Sequence, residues 1–231
     1  MASFRVILPC FKLIHPLNIL FKVYFLDKNK GFIIGEHMYF YQTDDGGKKW
    51  RKRQITSSII SMEIEIQPNF NDIFFIDEKN GWIVGEAGII LRTMDGGNSW
   101  TRAKSDLVET LFGVYFNDRN NGYIVGINGL LMVTRDGGRN WRKINAGIND
   151  SLYAISFDKK GLKGIAVGDK GMILITYDGG KKWDKFPIQS FSWLRGVINN
   201  GDSFLIAGRD GILGLSPNNN PLMQCRWLIS K

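Results

Sequence analysis

Cysteine and histidine are nearly missing from this chain. Two cysteines, Cys10 and Cys225, in 231 residues exclude a disulfide-dense scaffold and a four-cysteine zinc site. They lie near opposite ends of the chain and read most simply as two unrelated thiols; a disulfide joining the two ends is the alternative. The two histidines, His15 and His37, are far apart in sequence and share no motif, so no histidine-built metal or triad constellation is visible. There is no uninterrupted apolar run of about 18 residues, the length that a membrane-spanning helix requires. The stretch from residue 4 to 25 is apolar but is broken by Arg5, Pro9, Lys12, His15 and Pro16, with no small-residue cleavage site after it. It reads as a poor export signal, and Val6-Ile7-Leu8-Pro9 before Cys10 makes a poor lipobox. Acidic residues are outnumbered, 22 against 30 basic ones, for a net charge of +8. That surplus favours an acidic protein surface, a nucleic acid or an anionic membrane as partner.

Glycine and aromatic residues are plentiful: 27 Gly, 15 Phe, 7 Trp and 7 Tyr. With 44% hydrophobic residues the chain can fill the core of one large domain. The glycines and tryptophans fall into a pattern. Thr43-Asp44-Asp45-Gly46-Gly47-Lys48-Lys49-Trp50 returns as Thr93 to Trp100, Thr134 to Trp141 and Thr176 to Trp183. From the starts at 43, 93, 134 and 176, the spacings are 50, 41 and 42 residues. A period of about 40–45 residues made of short strands is the mark of a β-propeller with one blade per repeat.

Each repeat reads as four strands, A to D from the axis outward, separated by Asn, Asp and Gly turn signals. In the third copy they fall in Leu111 to Asp118, Asn121 to Gly126, Asn128 to Thr134 and Trp141 to Ile144. Both faces of the A strands are apolar, as expected for strands sandwiched between neighbouring blades. A fifth copy from Leu194 lacks the Thr-to-Trp pattern, with Ser216 to Pro221 in its place. The expected fold class is therefore all-β: a propeller of four-stranded antiparallel blades, about five of them recognisable, at roughly 18–55, 69–104, 110–146, 151–188 and 191–231. Residues 1–17 are read as a closing strand or an unstructured start. The segment from Ile59 to Ile66 alternates apolar and polar residues and is expected to lengthen a D strand.

The repeated octet solves a local problem. Gly supplies positive φ to a tight C–D turn, the Asp carboxylate can accept backbone N–H groups of its own turn, and the Trp ring packs beneath the hairpin. Thr43, Asp45, Gly47 and Trp50, Thr93, Asp95, Gly97 and Trp100, Thr134, Asp136, Gly138 and Trp141, and Thr176, Asp178, Gly180 and Trp183 are thus structural residues.

This octet resembles the Asp-box, or BNR repeat, of sialidases and many other propellers. The longer pattern from Phe75 to Trp100 looks like the photosystem II stability/assembly factor family. That resemblance implies a non-catalytic scaffold that binds partner proteins during assembly of a membrane complex, in a periplasmic, lumenal or secreted setting. Photosynthetic members carry seven blades and an export signal, whereas this chain shows about five blades and no clear signal.

The alternative function is a carbohydrate-binding or glycosidase-related propeller of the sialidase or xyloglucanase kind. Glycoside hydrolysis asks for two spaced carboxylates, or a Tyr nucleophile helped by Glu. The Arg-Ile-Pro motif of sialidases is absent, and Tyr24 and Tyr115 occupy equivalent A-strand positions, which core packing explains. No catalytic residue, cofactor or metal site is expected.

Propeller topology places the C–D and A–B turns on one face and the B–C turns on the other. The B–C turns vary between fixed glycines, so Glu36, Glu86, Asn128, Asp169 and Arg209 are the candidate binding residues. Basic residues such as Lys48, Lys49, Arg51, Lys52, Arg142, Lys181 and Lys182 flank the octet tryptophans instead, and read as protection of outer strands. Interleaved exposed aromatics are lacking there, which argues against nucleic acid. The partner expected is a protein, with an acidic surface favoured by charge and a glycan as the other possibility.

Overall fold

The computed structural model describes residues 19–55, 67–103, 105–186, 193–201, 203–209, 211–215 and 225–229. Cys10, His15, the segments 1–17 and 216–221, and residues 56–66, which hold the segment from Ile59 to Ile66, fall outside them, and with them the question of a disulfide. Among the described residues the chain forms five four-stranded antiparallel sheets, each with its strands in sequence order. The first holds β1 (Leu20–Phe25), β2 (Gly31–Gly35), β3 (Phe40–Thr43) and β4 (Arg51–Lys52). The second holds β5 (Phe70–Phe75), β6 (Gly81–Gly85), β7 (Ile90–Thr93) and β8 (Thr101–Arg102). The third holds β9 (Leu111–Phe116), β10 (Gly122–Gly126), β11 (Leu131–Thr134) and β12 (Arg142–Lys143). The fourth holds β13 (Leu152–Phe157), β14 (Gly164–Gly168), β15 (Ile173–Thr176) and β16 (Asp184–Lys185). The fifth holds β17 (Leu194–Asn199), β18 (Phe204–Gly208), β19 (Gly211–Leu215) and β20 (Cys225–Ile229). The only helical pieces among the described residues are single 3-10 turns. This is the five-bladed all-β architecture that the repeat announces.

The core is divided among the joints between blades. Each of four apolar clusters joins the B and C strands of one blade to the A strand of the next: Phe32, Ile34 and Phe40 against Phe70, Ile73 and Phe75; Trp82, Val84 and Ile90 against Leu111, Val114 and Phe116; Tyr123, Val125 and Leu131 against Leu152, Ile155 and Phe157; Ile165, Val167 and Ile173 against Leu194 and Val197. At three joints a B-strand ring stacks on the A-strand Phe of the next blade, with centroids 5.1 Å apart for Phe32–Phe75, 3.5 Å for Trp82–Phe116 and 4.4 Å for Tyr123–Phe157. Such pairs add to the roughly 1.5–3 kcal/mol that burial of one large apolar side chain contributes.

The same B-strand ring seats the octet turn of the next blade. A Cβ on Gly138 would lie 2.7 Å from Trp82, and one on Gly180 2.5 Å from Tyr123. Trp82 Nε1 donates to Gly137 O at 3.3 Å, and the Tyr123 hydroxyl to Gly179 O at 2.5 Å. Glycine is therefore demanded twice in the turn, by its positive φ and by this close approach. The fifth blade lacks the octet, and blade four faces it with Ile165 instead of a ring.

The A strands line a central cavity of about 610 Å³ to which all five blades contribute. Each A strand carries one register irregularity against its B strand, at the second residue: Phe21, Asn71, Phe112, Tyr153 and Arg195 have no partner in the pairing. A β-bulge leaves its extra residue unpaired and re-aims it. Here it delivers five side chains to the cavity wall. The A strands are thus not simply sandwiched between blades: several positions of each face the channel.

Candidate functional site

The bulged residues lie at the end of the channel beside the B–C turns. The start of each A strand there crowds the last residue of its B strand, where a Cβ on Gly85 would stand 2.1 Å from Asn69 O and one on Gly168 1.9 Å from Ser151 O. That is why glycine closes every B strand.

Blades three to five supply an aromatic and cationic cluster at this mouth. The Arg195 guanidinium lies over the Tyr153 ring at 3.9 Å and 5.4 Å from the ring of Trp193, which is 51% exposed. Phe112 meets the Tyr153 ring at 5.1 Å. The Tyr153 hydroxyl donates to Asp169 Oδ1 at 2.7 Å. Burial, then this bond, raises the Tyr153 pKa. Stacking holds Arg195 while leaving its in-plane N–H donors free to bind a ligand oxygen. Across the mouth, Asn71 Nδ2 donates to Leu111 O at 2.8 Å, and Phe21 stands 44% exposed.

One row deeper, Lys22 Nζ pairs with Asp72 Oδ1 at 2.9 Å, and Asp72 Oδ2 accepts the Val114 N–H at 3.0 Å. The Asp72 charge raises the Lys22 pKa against the opposing effect of burial. The matching positions in blades three to five are Gly113, Ala154 and Gly196, so this half of the channel keeps its width. Deeper still, the Tyr24 hydroxyl donates to Phe75 O at 3.0 Å and the Tyr115 hydroxyl to Phe157 O at 3.4 Å. Burial raises both tyrosine pKa values. They brace joints between blades, as core packing predicts.

The B–C turns occupy this same face. His37, Ala87, Asn128 and Lys170 take φ of 50–55°, and Met38, Gly88, Gly129 and Gly171 follow with positive φ, the pattern of a type I′ turn. The five residues singled out in these turns have unequal surroundings. Glu36 Oε2 accepts the Ile19 N–H at 3.3 Å, and Glu86 accepts both the N–H and the side-chain amide of Asn69 at 3.1 Å. These two carboxylates fix the entry to the A strands. Asp169 orients Tyr153. Asn128 and Arg209 are exposed.

On the opposite face the four octet turns are nearly identical. In each, the Thr hydroxyl donates to the Asp at 2.8 Å and accepts the second Gly N–H at 2.9 Å. In each, the Asp also accepts a backbone N–H from Lys49, Ser99, Asn140 or Lys182 at 2.9–3.0 Å. Asp136 shows the electrostatic result. The Asn140 N–H, against partial desolvation and with help from the Asn140 amide, Thr134 and the Arg139 N–H, holds it at about 2. The A–B turn beside it behaves alike: partial burial raises Asp77, but the Asn80 and Lys79 N–H groups, the Asn80 amide and Arg119 outweigh that and hold it at about 2. Gly46, Gly96, Gly137 and Gly179 tie the two kinds of turn together by donating to Asn29, Lys79, Asn120 and Leu162 carbonyls. Trp100 and Trp183 are buried, and Trp50 and Trp141 half-buried. The basic residues expected on outer strands, Arg51, Lys52, Arg142, Lys143 and Lys185, are exposed there.

No group of three or more His, Cys, Asp or Glu residues arranged to hold a metal occurs among the described residues. None of the described helices is long and apolar enough to cross a membrane.

A family model for the photosynthesis system II assembly factor YCF48 matches residues 13–108 and 103–196. Among solved structures, YCF48 from Cyanidioschyzon merolae is 25% identical over 88% of this chain and 68% of that one, with a TM-score of 0.67. YCF48 bound to D1 peptide is 22% identical over 87% of this chain and 64% of that one, with a TM-score of 0.66. The chain thus spans about two thirds of the length of these two structures. The GH74 xyloglucanase from Xanthomonas campestris shares the fold, with a TM-score of 0.69 over 87% of this chain and 36% of that one, at 10% identity. No curated protein matches the sequence significantly.

Proposed function

The chain belongs to the photosystem II assembly factor YCF48 family of BNR propellers, and on that premise we propose that it is a non-catalytic scaffold that holds a segment of a partner protein at the channel mouth. The observation that carries this reading is the Tyr153–Arg195–Trp193 cluster, held between bulged strands and bordered by Asp169. An exposed stacked arginine beside aromatic platforms offers directional hydrogen bonds and apolar area together, the combination found at the centres of protein interfaces. A relative has been solved with a D1 peptide; by extension, the ligand class for this chain is a peptide segment. The varied turns, with Asn128 and Arg209 at their rim, then select the partner, and the context is assembly of a membrane or extracytoplasmic complex.

The mouth carboxylates support binding over glycoside hydrolysis. Asp72 is bonded to Lys22 and Val114, and Asp169 to Tyr153, so neither stands as the free member of an acid–base pair.

The test is quantitative capture from membrane and soluble extracts with the wild-type protein, Arg195→Ala/Trp193→Ala, and Glu36→Ala/Glu86→Ala/Asp169→Ala. The expected result is a specific protein retained by the wild type and lost by the first variant, then mapped to one segment by a peptide array. Equal capture by wild type and the first variant overturns the mouth as the site.

A further inference from the structure

Outside blades one and five, four large apolar side chains are more than half exposed among the described residues. Val108 belongs to the connection between blades two and three. The other three share the octet face: Met94 is 63% exposed, Leu162 51% and Tyr177 53%. The repeat does not require any of them. The second octet position, held by Met94 and Tyr177, is Asp44 in blade one and Arg135 in blade three, and the Thr, Asp and Gly bonds of the octet do not use its side chain. Leu162 stands in an A–B turn one residue longer than its counterparts: six residues separate Phe157 from Gly164, against five between Phe25 and Gly31, Phe75 and Gly81, and Phe116 and Gly122. Asp158 gathers the longer turn by accepting the Leu162 and Lys163 N–H groups at 2.9 and 3.2 Å. Gly179 donates to Leu162 O at 2.9 Å, which sets Leu162 beside the octet of Tyr177.

Cations surround these two side chains. Lys159, Lys160, Lys181 and Lys182 are exposed, as is Arg139 of the neighbouring octet. Lys182 pairs with Asp184 at 2.9 Å, whereas Lys159, Lys160 and Lys181 make no ion pair among the described residues. The aspartates that would offset them are turned to their own backbone. Asp158 holds its A–B turn, and Asp178 accepts the Lys182 and Lys181 N–H groups at 3.0 and 2.9 Å and the Thr176 hydroxyl at 2.8 Å.

We propose that the octet face around blade four docks on an anionic phospholipid surface, with Leu162 and Tyr177 entering the headgroup layer and the lysines lying against it. The apolar tips contribute buried area, the tyrosine suits the boundary between headgroup and hydrocarbon, and each ammonium gains from the negative surface potential. Lysine fits a fluid layer of headgroups, because its charge sits on a flexible stem and asks for no fixed partner geometry. This docking is independent of the channel mouth, which opens on the opposite face and so points away from the bilayer.

Flotation with phosphatidylcholine vesicles, with and without an equal part of phosphatidylglycerol, tests this. The wild type is expected to float with the mixed vesicles, to stay behind with phosphatidylcholine alone, and to be released at about 1 M salt, where the Debye length is about 3 Å. Lys160→Glu/Lys181→Glu is expected to bind at least about tenfold more weakly, since one basic residue near such a surface is worth about fivefold. Leu162→Ser/Tyr177→Ser is expected to weaken binding several-fold at unchanged charge. Arg51→Glu/Arg53→Glu makes the same change of net charge on the outer strand of blade one, and is expected to stay within about twofold of the wild type. All these positions are exposed, and circular dichroism checks that each variant keeps the wild-type fold. Four results overturn the proposal: a wild type that ignores the mixed vesicles; equal losses in the two charge-reversed variants, which assign the attraction to net charge; undiminished binding by Leu162→Ser/Tyr177→Ser; and a wild type retained by immobilised polyglutamate but not by vesicles, which assigns the face to an acidic protein.

Discussion

The octet turns and the B–C turns are both tight hairpin ends repeated around one propeller, yet they use their side chains in opposite ways. In the octet turns the Thr, Asp and Gly contacts recur in every copy to within 0.1 Å, and each acidic group is consumed by its own backbone. In the B–C turns the backbone recurs but the side chains differ, and at the mouth one of them, Asp169, meets the A-strand residue Tyr153, over which the A-strand residue Arg195 stacks. A repeated side chain in a repeat protein is explained by the fold. A varied one on a repeated backbone is free for recognition.

The comparison breaks first at the tryptophans. Trp100→Ala empties a buried site packed by Phe40 and Phe75, and is expected to lower unfolding free energy by about 3–5 kcal/mol, read by chemical denaturation. Thr134→Val keeps the shape but strands the buried Gly138 N–H, at an expected cost of about 1–3 kcal/mol in the same assay.

Acid sharpens the contrast. Asp77 and Asp136 sit at about 2, below their ordinary value of 3.8. The unfolded chain therefore takes up protons first, so the stability these groups supply is full above pH 3.8 and is lost as pH falls through about 2. Denaturation midpoints are expected to drop across that window, and Asp136→Asn to reduce the drop. Arg195→Ala stands at the other extreme. It is expected to change stability by no more than about 0.5 kcal/mol while abolishing partner capture. A loss near that of Trp100→Ala would move Arg195 from the recognition side of the comparison to the structural side.

The parts of this molecule that repeat were legible in the sequence. The octets set the period, the turn chemistry and four of the five blades, because each octet residue answers a local backbone demand, and the fifth blade was read from its strand pattern alone. The channel mouth was not legible. Both faces of the A strands are apolar, so alternation alone does not tell which residue meets the channel, and a bulge shifts the phase at that very point. A signal was present in the series Phe21, Asn71, Phe112, Tyr153 and Arg195, the position in the A strand where chemistry changes most from copy to copy beside a B strand that always ends in glycine. Glu36 and Glu86 read from sequence as candidate binding residues, and their hydrogen bonds to Ile19 and Asn69 at the strand entries were not legible, because the turn folds back on the chain that leads into its own blade.

Division of the core into joints has an evolutionary corollary. A mutation, duplication or deletion is felt by the blades on either side of it and hardly beyond them, since no single hydrophobic centre is shared by all five. Genes for such proteins can change length in steps of one repeat, about 42 residues in the regular part of this chain, and each step creates or removes a single seam. Lineages can therefore arrive at different numbers of blades without passing through an unfoldable intermediate, and the residues around the channel are re-dealt each time the count changes.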